Sequence, residues 1–258
     1  LLKDPLWSPE VWTRLDQLLA KDLKGQVAVF DADGTLWRKD AESAFISWLN
    51  FRDLLRPGAQ PSSLPADDHY HALRARSPAE AARFATGLLA GLQESQVRSE
   101  AQSFFQEEVS AHIYTSQLKL IRRLQAAGAE VWIVSSLNQW LAETGARALG
   151  VPAERVIGAR LAVVNGKLTP TLLQPLPSQA GKVEAIRSRI GRQPWLAVGD
   201  GSDDIEMLSD VSQLRLVIHP VTDPSFASLF GPDSEDAEQE QQQLYDYAHK
   251  QQWLIQTW

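Results

Sequence analysis

Cysteine is absent from this 258-residue chain, which excludes disulfides and thiol chemistry and says little about compartment. Basic residues are outnumbered: 25 Lys and Arg stand against 32 Asp and Glu, for a net charge of −7. A broad basic surface for nucleic acid is therefore not expected. No apolar run approaches the roughly 20 residues of a membrane span. Internal repeats and a low-complexity linker between two halves are missing too. The chain opens on Leu1 rather than Met, as a cleaved export signal or a trimmed chain would. A cytoplasmic location is the expectation and export its alternative. What the chain does have is 44% hydrophobic residues, enough for a sizeable core and a small accessory domain.

The most informative stretch is Asp31-Ala32-Asp33-Gly34-Thr35-Leu36, directly after the apolar run Gln26-Val27-Ala28-Val29-Phe30. It reads as a buried strand ending in two carboxylates, and open α/β sheets place their chemistry at the C-terminal ends of parallel strands. Carboxylates separated by one residue point to the same side of an extended chain, so one can attack while the other moves protons. Alone, the run also fits a loop start with helix-capping Asp residues. A second cluster, Gly199-Asp200-Gly201-Ser202-Asp203-Asp204, again follows an apolar run, Trp195-Leu196-Ala197-Val198. So many carboxylates in one place need a divalent cation, a lysine, or both. Magnesium suits an all-oxygen ligand set that keeps waters and a substrate phosphate.

Between and around these clusters the pattern alternates. Ser8-Pro9-Glu10 opens a helix carrying Val11, Trp12, Leu15, Leu18 and Leu19 at helical spacing. After the first motif, strand signals stop. Helices are expected around Ala44–Leu49, from Ser77 to about Ala90, and over Val97–Val109, with a loop from Leu55 to Pro65. Residues 40–113 thus read as a helical insertion. Thr115 is expected to cap the next helix, which Gly128 stops. Val131–Val134 then forms a strand ending in Ser135-Ser136, and Asn138 caps a helix stopped by Gly150. Arg160–Thr169 reads as a hairpin with an Asn165-Gly166 turn. A helix from about Gly181 to Ile190 carries Lys182 at its start. Leu214–Ile218 and Trp253–Ile255 complete the strands. Ser135 and its neighbouring N–H groups offer donors for phosphoryl oxygens, and Lys182 can set an ammonium beside the carboxylates.

In this order, Asp31-x-Asp33-Gly34-Thr35-Leu36, Ser135, Lys182 and Gly199-Asp200-Gly201-Ser202-Asp203-Asp204 resemble the four motifs of the haloacid dehalogenase superfamily over most of the chain. Within it, the insertion, the Val156–Thr169 hairpin and Gly199–Leu208 are similar to the phosphoserine-phosphatase branch. The resemblance implies an α/β fold. Its Rossmann-like three-layer α/β/α parallel-sheet core spans 1–39 and 114–258, with an all-helical cap at 40–113 inserted after the first strand. It implies a magnesium-dependent phosphatase for a small phosphorylated metabolite, with phosphoserine-like or phosphocholine-like substrates as the expectation. Asp31 would be the nucleophile and Asp33 the general acid and base, with magnesium held by Asp31, the Asp33 main-chain carbonyl and Asp200. Gly34 N–H, Thr35 and Ser135 would hold phosphoryl oxygens, with Asp203 counted among the phosphate-site residues; Lys182 would bridge nucleophile and phosphate, and Asp204 would orient Lys182 or a metal-bound water. Asp33 favours fast hydrolysis, since related dehalogenases lack this second acid and transport ATPases carry threonine there. A phosphomutase, or a catalytically silent scaffold on the same fold, is the alternative.

Substrate identity is less legible. Asp40 and Glu42 lie where an acid of the branch receives a substrate ammonium, and they equally suit the first turn of a helix. Arg74, Arg76 and Arg83 are candidates for a carboxylate. Trp37 and Trp48, with an acid nearby, suit a quaternary ammonium such as phosphocholine or simply pack core. Asp67-Asp68-His69-Tyr70-His71 reads as surface decoration on a polar loop, and Ser234–Gln243 as a solvated helix face.

Overall fold

A computed structural model describes residues 7–55, 64–219 and 234–257, with the side chains of 234–238 left aside. Six parallel strands form one sheet, ordered β3 (Val156–Ala159), β2 (Glu130–Asn138), β1 (Val27–Phe30), β6 (Leu196–Gly199), β7 (Leu214–His219) and β8 (Leu254–Thr257). A strand covered on both faces has no polar side, which is why β1 reads as an unbroken apolar run. Its side chains divide by the two-residue period of the pleat. Ala28 and Phe30 enter one hydrophobic cluster with α1 (Pro9–Leu19), α6 (Thr115–Ala126) and α7 (Gln139–Ala148). Val27 and Val29 enter the opposite cluster with α8 (Ala180–Arg189), α9 (Ile205–Ser209) and α10 (Ser234–Lys250). The expected three-layer α/β/α sandwich is present.

Between β1 and β2 the chain forms α2 (Ala41–Phe51), α3 (Ala66–Arg74), α4 (Pro78–Gly87) and α5 (Glu94–Phe104). The segments that leave and return are stitched together: Tyr114 N–H donates to Leu36 O at 2.9 Å and Arg38 N–H to His112 O at 3.0 Å. The larger core cluster runs unbroken from the sheet into the insertion through Phe45, Tyr70 and Phe104. The hairpin β4 (Leu161–Val164) and β5 (Lys167–Leu172) turns on Asn165 and Gly166, both with positive φ, as a two-residue turn of this hand requires. Its far edge accepts the α4–α5 connection through Gly91 N–H to Leu168 O and Glu94 N–H to Gly166 O.

Several boundaries differ from expectation. Asp67–His71 lies in helix α3, not a loop. Asp67 accepts from Ser47 Oγ at 2.7 Å and His69 meets Phe84 edge-on at 4.7 Å, so the segment packs within the insertion rather than decorating a surface. Helix α4 stops at Gly87, and α5 gives way to a π-helical turn over Phe105–Val109. Thr115 is the first residue of α6, whose cap is Tyr114 without a side-chain hydrogen bond. The expected loop at 55–65 falls mostly outside the described residues. Among those described, no helix is long and apolar enough to cross a membrane.

Trp37 joins this architecture to the insertion. Its fully buried ring meets Phe105 edge-on at 5.3 Å and lies against Gly145 of α7. A Cβ on Gly145 would stand 2.5 Å from that ring. Alanine would gain about 1 kcal/mol of helix propensity, but overpacking a rigid core costs about 1–3 kcal/mol. Gly145→Ala is therefore expected to lower the free energy of urea unfolding; a more stable variant would contradict this packing.

Candidate active site

Asp31 follows the last residue of β1, and its N–H donates across to Val198 O of β6 at 2.9 Å. That pairing brings the loops after two adjacent strands together at the C-terminal edge of the sheet. Gly34 adopts φ +76°, and a Cβ there would lie 2.0 Å from Asp200 Oδ2. Glycine at this position is what allows the first loop to close on the second carboxylate cluster. The Gly34 N–H is spent on Trp37 O at 3.0 Å, so this amide does not face a phosphate as expected. Thr35 likewise donates its buried hydroxyl to Asp200 Oδ1 at 2.7 Å and orients that carboxylate instead.

Lys182, only 1% exposed, gathers the acids. Its Nζ lies 2.6 Å from Asp204 Oδ1, 2.8 Å from Asp31 Oδ1 and 3.3 Å from Asp203 Oδ2. Burial would lower its pKa, but Asp204, Asp31 and Asp203 outweigh burial and hold it well above the ordinary lysine value. Asp204 also accepts from the N–H groups of Asp200 and Gly201, fixing the turn after β6. Asp203 is not placed as a phosphate ligand. It accepts from Ser178 Oγ at 2.6 Å and from Gln179 N–H at 2.9 Å. Gln179 has φ +51°, a conformation costly for a side chain outside glycine, and the Asp203 bonds hold it there. This anchor aims the first turn of α8, and with it Lys182, into the site.

Ligand oxygens of Asp31, Asp200 and Asp204 lie within 4.8 Å of one another, all buried. Lys182 is in ion-pair contact with three of the four carboxylates here, Asp31, Asp203 and Asp204, while Asp200 is held by the Thr35 hydroxyl. Burial, then the charge of Asp31, pushes the Asp200 carboxyl up to about 7. A hard divalent cation would offset this excess, and the donor set fits magnesium. The Asp33 carboxylate is not part of the cluster.

Asp33 instead turns toward the insertion. Its Oδ1 accepts from Trp37 Nε1 at 2.6 Å, and its Oδ2 accepts from Ala41 N–H at 2.9 Å and Glu42 N–H at 3.3 Å. It thus sits at the N-terminus of α2. Burial, with Asp40, Asp31 and Glu42 nearby, raises its pKa well above the ordinary range, against the Trp37 hydrogen bond. Two carboxyls two residues apart therefore stand in different surroundings, Asp31 on the Lys182 ammonium and Asp33 on the first amides of α2.

A cleft runs from Asp31 past Ser135 to a wall of Glu42, Tyr70, Arg74 and Glu240. Ser135 is buried within β2, which runs on to Asn138 rather than ending before Ser135, and its Oγ accepts from Leu137 N–H at 3.3 Å. Asp40 caps α2 through Ser43 N–H and pairs with Arg74 Nη1 at 2.7 Å, so it is not open to a substrate ammonium as expected. Of the three candidate arginines, Arg74 alone lines the cleft; Arg76 and Arg83 are exposed. Trp37 presents no face to a ligand, because it is buried and bound to Asp33. The Trp48 face is taken by Arg52 at 3.9 Å. Neither can form an aromatic box for a quaternary ammonium.

Sequence reasoning missed Ser178, Gln179, Glu240 and Gln241. Glu240 pairs with Arg74, and Gln241 Nε2 approaches Asp200 Oδ2 at 3.4 Å, so part of the stretch read as a solvated helix face forms a wall of the site. Only the buried Leu244 and Ala248, at i+4 and i+8 from Glu240, mark that face of α10 as inward.

Glu42 gives the site a measurable pH signature. Its buried carboxylate accepts from Asn138 N–H at 2.7 Å and Asn138 Nδ2 at 3.0 Å, yet burial still pushes it up to about 7. A carboxyl whose folded pKa exceeds its unfolded one binds its proton more tightly when folded, so ionising it costs stability as pH rises. For Glu42 the loss begins above 4.5 and is complete above about 7, on the order of 3 kcal/mol. Glu42→Gln is expected to flatten the decline in stability across that window, measured by urea unfolding in chelator; an unchanged slope would show that Glu42 does not carry it.

Comparison with known proteins agrees with this geometry. The family model for haloacid dehalogenase-like hydrolases matches residues 28–209. A Mycobacterium leprae (strain TN) protein whose name proposes a hydrolase is 26% identical over 190 residues, 70% of this chain. The chain spans 63% of that relative's length. A Bordetella pertussis Tohama I protein of unknown function superimposes with TM-score 0.68 at 19% identity, covering 90% of this chain and 98% of its own. A substrate-bound phosphoserine phosphatase superimposes with TM-score 0.53 at 18% identity, covering 81% and 91%. At these identities the structural likeness concerns the fold. With the family model spanning both carboxylate clusters and the lysine between them, the chain belongs to the haloacid dehalogenase-like hydrolases and shares its fold with phosphoserine phosphatase.

Proposed function

We propose that this hydrolase is a magnesium-dependent phosphatase acting on a small phosphorylated metabolite through an aspartyl-phosphate on Asp31. The observation that carries the reading is the Lys182 ammonium, buried and 2.8 Å from Asp31 Oδ1. It lets a carboxylate approach a phosphoryl group of like charge, which an unassisted carboxylate resists. The Asp31 carboxylate attacks phosphorus, the bond from phosphorus to the leaving oxygen breaks, and Asp33 gives its proton to that oxygen. Water then attacks the same phosphorus, its proton passes to Asp33, and the bond to Asp31 breaks, releasing inorganic phosphate. The raised pKa of Asp33 supports the acid half of this cycle. Ser135 and Lys182 line the cleft beside Asp31 and would donate to phosphoryl oxygens.

Asp31, Asp200 and the main chain at Asp33 would hold the magnesium, with Asp204 beside them; when bound it supplies charge neutralisation at the phosphoryl group. Residues 40–113 act in this reading as the cap over a core of 1–39 and 114–258. The paired segments Leu36–Arg38 and His112–Tyr114 are its two connections. Asp33, held by α2 of the cap, links cap position to proton transfer.

Phosphate release from p-nitrophenyl phosphate, phosphoserine and phosphocholine, with magnesium and with chelator, tests this. Activity is expected to require magnesium and to vanish in Asp31→Asn. Asp33→Asn is expected to lose about 10²–10⁴-fold in kcat. Turnover that survives Asp31→Asn, or none from any substrate with magnesium, would refute the proposal.

A further inference from the structure

The cleft wall opposite Asp31 holds an ion pair that the proposed cycle does not use. Arg74 of α3 gives Nη1 to Asp40 at 2.7 Å, while Nη2 and Nε lie 3.1 and 3.4 Å from the same oxygen of Glu240 on α10. The Nε–Nη2 edge is the fork by which an arginine reads a carboxylate in two parallel hydrogen bonds. In this protein that edge is taken by the chain's own carboxylate. The three side chains are 24%, 10% and 13% exposed, so the pair is only partly screened by water. Two carboxylates on one guanidinium leave this corner net negative, and Glu42 stands in the same wall.

We propose that Glu240 is a specificity-determining residue. It occupies the arginine edge that a substrate carboxylate would bind, and it selects leaving groups that carry a positive charge and no carboxylate. A carboxylate on the substrate would have to displace Glu240 and would meet Asp40 while doing so, a like-charge juxtaposition that discriminates strongly. An ammonium faces no such competition and gains from the excess negative charge. The inference rests on the phosphatase reading and narrows its substrate class.

The test compares kcat/KM for phosphocholine and phosphoglycolate, two esters of similar length and opposite charge, within each variant. Using the ratio removes any general loss from altered folding. Wild-type protein is expected to favour phosphocholine. Glu240→Gln should move the ratio toward phosphoglycolate by about tenfold or more, through a gain on the acidic ester that Arg74→Ala in the same background abolishes. Asp246→Asn, the same charge change on the exposed face of α10, is the control and should leave the ratio where it was. A wild-type preference for phosphoglycolate, or a ratio unmoved in Glu240→Gln, would overturn the assignment. If wild-type protein turned over neither ester nor p-nitrophenyl phosphate, the phosphatase reading itself would fall, and this inference with it.

Discussion

Four carboxylates crowd one buried ammonium at the C-terminal edge of the sheet, and much of the surrounding structure serves to make that tolerable. Asp31, Asp203 and Asp204 all touch Lys182, while Asp200 is held apart on Thr35. Like charges at this spacing inside a protein repel by several kcal/mol unless each is hydrogen-bonded or paired. The sequence therefore supplies a glycine where the two acidic loops touch, backbone amides for Asp204, and a loop anchored on Asp203 to present the lysine. The charge excess that remains is the physical reason the cluster suits a divalent cation.

The same crowding separates Asp31 from Asp33. They stand two residues apart in sequence, yet one carboxylate faces lysine and the acid cluster while the other sits on the first amides of α2. The α2 N-terminus and the Trp37 indole hold Asp33 where its neighbours are other acids, and burial there favours its proton. The Asp33 carboxyl and the start of the insertion are thereby held as one unit. Trp37 closes the connection, because its ring is wedged between α7 and Phe105 at the end of the insertion.

A third contribution comes from far along the chain. Glu240 lies 166 residues from Arg74 in sequence, and helix α10 delivers it and Gln241 to the cleft. The cleft wall is thus assembled from the insertion on one side and the last helix of the core on the other. A cap sequence read alone cannot describe it.

The catalytic motifs were legible because they are local. A buried strand followed by acid, spacer, acid and glycine has few other uses, and strand, helix and turn patterns placed β1, the hairpin and the Asn138 cap correctly. Residues whose meaning depends on a distant partner were not legible. Asp40 reads as an open acid until Arg74 is set beside it. Trp37 reads as a ligand face until Gly145 and Phe105 cover it, and Glu240 reads as solvated surface until α10 packs down through Leu244 and Ala248. By itself the sequence determined which acidic groups gather at the C-terminal edge of the sheet, because residue type and short spacing dictate what a strand end can hold. Only the tertiary structure decided which of those groups are free to meet a substrate, because a charge in a folded chain is spent on whichever partner the packing brings within about 3 Å.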